Sequence, residues 1–322
     1  MTITEPSSST GGAPPTAPVD TVSKVGDKIF GGLAKGAGIL ILVTLAAVAI
    51  FLLSEGWPTF THDASEFSPA ESFLSYVGPL IFGTILAAVL ALVIATPMAV
   101  AVALFISHYA PKRLAQTLGY FVDLLAAIPS VVFGIWGIEV LAPILSRSVF
   151  PWLEDNLGFL PFFAGPASTS GRTMLTAGTV LAVMILPIIT AISREVFLQT
   201  PRLHEEASLA LGATKWEMIK QAVLPYGRSG VISGAMLGLG RALGETMAVA
   251  IILSPSDGYF WDLISNQNSN TIAANIALKF PESAGLNVNR LIATGLVLFA
   301  ITFIVNALAR RIAAAGFSGA DG

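Results

Sequence analysis

The chain has 322 residues, 54% hydrophobic and only 11% charged, with a mean hydropathy of +0.76, which is too apolar for a water-soluble domain and reads as a polytopic membrane protein. A net charge of −3 supplies no basic field for nucleic acid, so no nucleic-acid partner is expected. The lack of cysteine removes disulfides, thiolate metal sites and cysteine nucleophiles, and His62, His108 and His204 are too scattered to ligate a metal and are read as solvent-side residues.

Residues 1–22 are mostly Ser, Thr, Pro and Gly and cannot bury enough surface to fold, so a disordered tail is expected. Lys24, Lys28 and Lys35 then precede an apolar run, Ile39 to Leu53, which Gly36 to Gly38 extend toward spanning length. The long tail ahead of it and the lack of a small-x-small site after Leu53 favour a retained first helix over a cleaved signal. From Glu55 to Tyr76 there are four carboxylates and no Lys or Arg, which places the segment outside, with Pro69 to Ser75 read as a short interfacial helix. The second crossing is Val77 to Ile106, kinked at Pro97 and closed on the inner side by Lys112 and Arg113.

The third crossing, Leu118 to Leu141, carries Asp123 near its inner side, Pro129 at its middle and Glu139 near its outer end. An irregular external loop follows from Ser146 to Arg172, then a fourth crossing from Thr173 to Ile192 containing Pro187. Val231 to Leu253 is the fifth, interrupted only by Arg241 and Glu245. A last external loop, Ser254 to Asn289, holds a short helix from Thr271 to Phe280, and Leu291 to Leu308 is the sixth crossing, closed by Arg310 and Arg311. The membrane domain therefore runs over 23–312, with a short tail at 313–322. With both ends inside, twelve basic residues fall on the inner side (Lys24, Lys28, Lys35, Lys112, Arg113, Arg194, Arg202, Lys215, Lys220, Arg228, Arg310, Arg311) and four outside (Arg147, Arg172, Lys279, Arg290). That excess gives six spans with both termini in the cytosol.

Between crossings four and five, residues 200–225 read as two short amphipathic helices. Thr200 caps the first, Pro201 opens it and Gly212 stops it; Thr214 to Glu217 has capping-box spacing for the second, which Pro225 ends. Leu203, Ala207 and Leu211 share one apolar face, and Trp216, Ile219 and Val223 share another, so both helices need a docking partner. In the fifth crossing Gly230, Gly234, Gly238, Arg241, Glu245 and Ala248 fall in one stripe that must face protein or a cavity. A guanidinium at mid-bilayer costs about 2.5–3.5 kcal/mol, so Arg241 demands a partner or a wet path, and its planar fork suits an oxyanion. Glu245, one turn on, can neutralise it when no anion is present; Asp123 would repel an anion and is better read as a gating or structural partner of a basic residue.

Glu206-Ala207-Ser208, Gly212 and Leu224-Pro225 resemble the EAA loop of ABC importer permeases, with Ser208 where Ala is usual and Ala222 where Ile is usual. Gly240 to Val249 (GRALGETMAV), with Asp123 to Ser130 (DLLAAIPS) upstream, resembles the PstC-type permeases of phosphate importers, a likeness that covers about residues 35 to 312. The resemblance implies an all-α, type I ABC importer permease fold of six transmembrane helices with a cytosolic pair of coupling helices. It implies that Glu205, Glu206, Ala207, Gly212, Ala213, Leu224 and Pro225 seat on an ATPase, and that Arg241, Glu245 and Asp123 line the substrate path. Its implied partners are inorganic phosphate, a homologous second permease (PstA-like), an ATPase dimer (PstB-like) holding ATP and Mg, and an external phosphate-binding protein (PstS-like), all at the bacterial cytoplasmic membrane and its lipid. No P-loop occurs here, so no cofactor is expected in this chain. A sulfate or molybdate permease, an intramembrane enzyme acting on lipid phosphates and a substrate-free scaffold are the rival readings.

Overall fold

The computed structural model describes residues 24–67 and 71–315, so the expected N-terminal tail and most of the C-terminal one lie outside the described residues. The described residues fall into two units, one within Met1–Ile50 and one within Phe51–Gly322. The described part of the first is the beginning of helix α1 (Lys24–Gly56), whose Ile39, Leu40, Ile41 and Leu42 are all exposed. A helix apolar on every side is stable where lipid is the solvent.

The second unit is built around two long helices. α2 (Phe73–Leu104) starts at Ser72, whose side chain accepts a hydrogen bond from Ser75 N, and continues through Pro79 and Pro97 as one helix that a π turn extends to Tyr109. The interfacial helix expected over Pro69 to Ser75 falls partly outside the described residues, and Phe73 already belongs to α2. α5 (Met174–Leu198), capped by Thr173, packs along α2. Ala87, Ala91, Ala95 and Ala99 recur every fourth residue of α2 and are fully buried in the core that both helices share. Small side chains at one-turn spacing let two backbones approach, which is how helices associate without a hydrophobic driving force.

Between them the chain departs from a single kinked third crossing. α3 (Lys112–Ala126) ends where Ala127 N and Ile128 N fold back onto Leu124 O and Leu125 O, and Pro129, having no N–H, cannot continue the ladder. A new run, α4 (Ser130–Leu157), starts there and includes two π turns, so the segment expected to be irregular from Ser146 is helical up to Leu157.

After α5 come α6 (Arg202–Ala210) and α7 (Lys215–Met218). A π turn over Ile219–Val223 leads directly into α8 (Leu224–Leu243), so Pro225 stops nothing. Its missing donor falls where Leu224 N already reaches back five residues to Ile219 O and the ladder is changing step. Thr200 does not cap α6 either: Pro201 occupies the cap position, and Thr200 Oγ1 is buried without a hydrogen-bond partner. α8 runs antiparallel along α5, with Gly227 on Phe197, Gly230 on Val196, Gly234 on Ile192 and Gly238 on Ile189 and Ile185. A short helix, α9 (Met247–Ile252), follows the break at Gly244 to Thr246.

α10 (Ile272–Lys279), capped by Thr271, and the last long helix, α11 (Leu286–Ala315), complete the chain. Among the described residues five helical runs are long and apolar enough to cross a membrane, and the broken pair α8 and α9 makes a sixth crossing.

A candidate anion station between two broken helices

Both breaks lie at one level. The first turn of α4 presses on the first turn of α9 so closely that a Cβ on Gly134 would stand 2.9 Å from Ala248 Cα. Helix ends inside a bilayer leave carbonyls and N–H groups that lipid cannot satisfy, at several kcal/mol each. The charged residues of the stripe are what meets them. Arg241, half-buried in the last turn of α8, donates from Nη1 to Ala126 O at the end of α3, 3.4 Å away. The cation thus stands at two helix C-termini, where both dipoles favour it. Glu245 is 8% exposed, and its Oε1 accepts from Ala248 N at 3.1 Å, placing the carboxylate at the N-terminus of α9.

The sequence stripe put Arg241 and Glu245 one turn apart on one helix, ready to neutralise each other. Here α8 ends between them, and among the described residues no ion pair within 4 Å joins them. Antiparallel contacts with α5 set the depth of the site. With Gly234 opposite Ile192 and Gly238 opposite Ile189 and Ile185, Arg241 is level with Met184, about 3 Å from the midpoint of Met174–Leu198. Chemically this is a mid-span guanidinium with five N–H donors, one long hydrogen bond to a neutral carbonyl among the described residues, and no carboxylate clamp.

Asp123 lies one turn before Ala126 on α3; its side chain is exposed and makes no ion pair among the described residues. Arg172, counted from sequence as an external loop charge, closes the other end of α9, with Nη2 donating to Ile251 O at 3.1 Å and Leu253 O at 3.3 Å. Nothing local in the sequence marks that role, because its acceptors are 79 and 81 residues away.

The second cluster is the loop at the basic end. Gly212 has φ +86°, and Gly212 N bonds to Leu209 O while Ala213 N bonds to Ser208 O, the paired bonds that end a helix at a left-handed glycine. Thr214 and Glu217 cap α7 reciprocally, with Thr214 N to Glu217 Oε2 at 2.7 Å and Glu217 N to Thr214 Oγ1 at 3.3 Å. The backbone N–H of Thr214, then its hydroxyl, hold the Glu217 carboxyl below its ordinary pKa. Ile219 and Val223 are fully buried with Phe197, Ala103 and Leu104, and Leu224 packs against them. Trp216 does not share their face, as the sequence spacing suggested; it is 56% exposed, because the ladder changes to a π turn at Ile219. Leu203 and Leu211 are 75% and 90% exposed, Glu206 and Ala207 are exposed beside them, and Pro225 is exposed on the adjoining helix. Glu205 turns inward instead: its Oε1 is 3.4 Å from His108 Nε2, and His108 Nδ1 is 2.7 Å from Ser107 Oγ. With its side chain only 8% exposed, His108 is not the solvent-side residue its isolation in the sequence suggested.

Comparison with known proteins bears on the whole chain. A model of the binding-protein-dependent transport system inner membrane component family matches residues 95–315. The phosphate transport system permease protein PstC 2 of Mycobacterium tuberculosis is 46% identical over 306 residues, covering 91% of this chain and 94% of that protein. PstC of Mycobacterium leprae is 43% identical over 317 residues, covering 95% and 98%. Among solved structures, a chain of a bacterial alginate ABC transporter, crystallised with a periplasmic protein bound to an alginate pentasaccharide, aligns with a TM-score of 0.55 at 18% identity, over 90% of this chain and 96% of its own. A chain of the inward-facing MetNI methionine ABC transporter aligns with a TM-score of 0.52 at 16% identity, over 76% and 95%. At those identities the structural likeness carries the fold alone.

Proposed function

Because the chain belongs to the PstC-type permeases of ATP-driven phosphate import, a multi-pass component of the inner membrane, we propose that Arg241 is the mid-span station at which phosphate crosses it. The observation that carries this reading is the geometry of Arg241: a half-buried guanidinium at the junction of two broken helices, held by one carbonyl. Phosphate oxygens bring the opposite charge that a neutral carbonyl lacks, and they fit the guanidinium fork two at a time. An arriving anion therefore draws Arg241 off Ala126 O and loosens the end of α3 from the end of α8. Glu245 keeps α9 capped meanwhile.

The drive enters at the other end of the same helix. The basic end is the cytosolic one, with both termini on that side, and α6 and α7 seat on an ATPase dimer that holds ATP and Mg. Leu203, Leu211 and Trp216 supply the apolar contact, with Glu206 and Ala207 beside them. Since Pro225 does not break the chain, residues 215–243 form one helical rod of about 40 Å from the docking surface to Arg241. Movement of the coupling helices on nucleotide binding is thereby delivered to the anion station without an intervening joint. A homologous second permease completes the path, and an external phosphate-binding protein docks at the opposite end.

Uptake of radiolabelled phosphate at micromolar concentration, in cells with no other phosphate system, tests the reading. The parent chain and Arg241→Gln are compared, with excess sulfate as competitor and chain levels measured. Expected is uptake that survives sulfate and is lost in Arg241→Gln with the complex intact. Normal uptake by Arg241→Gln removes Arg241 from the path, and inhibition by sulfate makes the path one for oxyanions in general.

A further inference from the structure

We infer that Arg194 is a second anion station on this path, between Arg241 and the coupling helices, and that Asp123 is the carboxylate that engages the two arginines when no anion is present. The inference rests on the reading of Arg241 above and extends it to a residue on a different helix.

Three observations carry it. First, Arg194 on α5 lies against α3: its Nη1 occupies the place a Cβ on Gly119 would take. Gly119 and Ala126 are seven residues apart and share a face of α3, so Arg194 and Arg241 meet one helix about two turns, or about 10 Å, from each other. Second, Asp123 sits between them, about 40° around the helix from Gly119 and about 60° from Ala126. Its Cβ tilts toward the N-terminus of α3, which is toward Arg194. Third, among the described residues neither group has a hydrogen-bond or ion-pair partner in this conformation. Arg194 Nε is buried with no hydrogen bond, and neither Arg194 nor Asp123 makes an ion pair within 4 Å among the described residues.

A purely structural pair would be closed here, because leaving a buried guanidinium nitrogen unsatisfied is costly. Nor does Arg194 snorkel to the basic end. Its Cβ points toward the N-terminus of α5, at the far end, so the side chain reaches back toward mid-span, and its Nε is buried. Open charges of both signs on facing helices are what a transient third party requires. An oxyanion leaving Arg241 has to cross about 25 Å, the length of α8 back to Leu224, of poorly polarisable surroundings before reaching the coupling level, and a second cation on that stretch lowers the barrier. When the anion has gone, Asp123 can swing onto the vacated guanidinium and repel the next anion until the helices reset.

The test uses the complete transporter with its binding protein, reconstituted in proteoliposomes, and measures ATP-driven phosphate uptake against phosphate concentration. Arg194→Gln is expected to lower the maximal rate about tenfold or more with the half-saturating concentration unchanged, and Arg194→Lys to keep the larger part of the rate, since the charge and not the fork serves here. Adding Asp123→Asn to Arg194→Gln is expected to recover part of the loss by removing an uncompensated carboxylate. Asp123→Asn alone should raise phosphate efflux from loaded vesicles without ATP. Arg194→Gln transporting at the parent rate overturns the station, as does Arg194→Lys failing as completely as Arg194→Gln in an intact complex. Unchanged efflux in Asp123→Asn overturns the counter-ion role even if the Arg194 variants do not assemble. Arg241→Gln run alongside separates the two readings: if it alone is inactive, only the second station falls, and if it transports normally, the path through Arg241 falls.

Discussion

Gly134→Ala isolates the contact that holds the two broken helices at one level. The added Cβ would stand 2.9 Å from Ala248 Cα and 3.2 Å from Ile251 Cδ1. Carbon atoms settle at about 3.5–4.0 Å, so the first turns of α4 and α9 must part by about 0.6–1.1 Å. The nearer atom is backbone, which no rotamer change can move aside. Overpacking of this kind costs about 1–3 kcal/mol, and replacing a helical glycine with alanine returns about 0.5–1 kcal/mol, so the net loss is about 0–2.5 kcal/mol. The functional loss should be larger than that stability change implies, because α9 carries the helix end that Glu245 caps and its displacement spreads the junction around Arg241. Gly295→Ala on α11 is the control: its Cβ would find Ile276 Cδ1 at 3.8 Å and Leu52 Cδ2 at 4.0 Å, ordinary contact that fills space. Thermal unfolding of the purified complex and phosphate uptake in proteoliposomes are measured for both. Gly134→Ala is expected to unfold a few degrees lower and lose most uptake; Gly295→Ala should match or exceed the parent in both. Equal behaviour of the two variants would refute the claim that the α4–α9 contact positions the site.

Glu205→Ala releases α6 from His108 at the end of α2. A single 3.4 Å hydrogen bond of this kind is worth about 0.5–1.5 kcal/mol, so stability should change little while phosphate moved per ATP hydrolysed falls, as a paired uptake and ATPase assay would show. Ser at both Leu211 and Trp216 removes apolar surface that faces outward, so the ATPase should no longer co-purify while the chain's own unfolding stays the same. Thr214→Ala should cost the start of α7 about 1 kcal/mol, read as faster amide exchange across Lys215–Met218. Because the folded-state pKa of Glu217 is lowered, its cap contributes above the ordinary carboxylate range and is lost as pH falls through the lowered value; protection of the Thr214 amide should fall in that acid window and not near neutrality.

The crossings were legible because a bilayer fixes their length, and the glycine stop at Gly212 and the capping box at Thr214 were legible because both are settled within five residues. The two breaks were not. Pro97, Pro129 and Pro187 sit in equally apolar runs, yet only Pro129 begins a new helix, and Gly244 is one glycine of several in its run, like Gly234 and Gly238. What separates them is tertiary: the freed groups at Ala126 and Ala248 find partners in Arg241 and Glu245, while an equivalent break at the buried Pro187 would open onto the α2–α5 core. His108 was misread for the same reason, since its partner stands 97 residues away, and the capping role of Arg172 went unseen because its acceptor stands 79 residues away.

That dependence inverts the reading of the charged pair. On an unbroken helix, Arg241 and Glu245 would cancel, and an anion would have to separate them at the full cost of exposing both charges. With α8 ended between them, each charge is held by a helix terminus and its dipole, an arrangement stable in lipid that leaves the cation tied by a single neutral acceptor. Repairing the helix would therefore silence the site without touching a charge. Gly244→Ala and Thr246→Leu together supply helix formers at the junction, and they should draw Arg241 and Glu245 into an i,i+4 pair and lower phosphate uptake in a complex at least as stable as the parent. Undiminished uptake by that double variant would show that the break is incidental to transport.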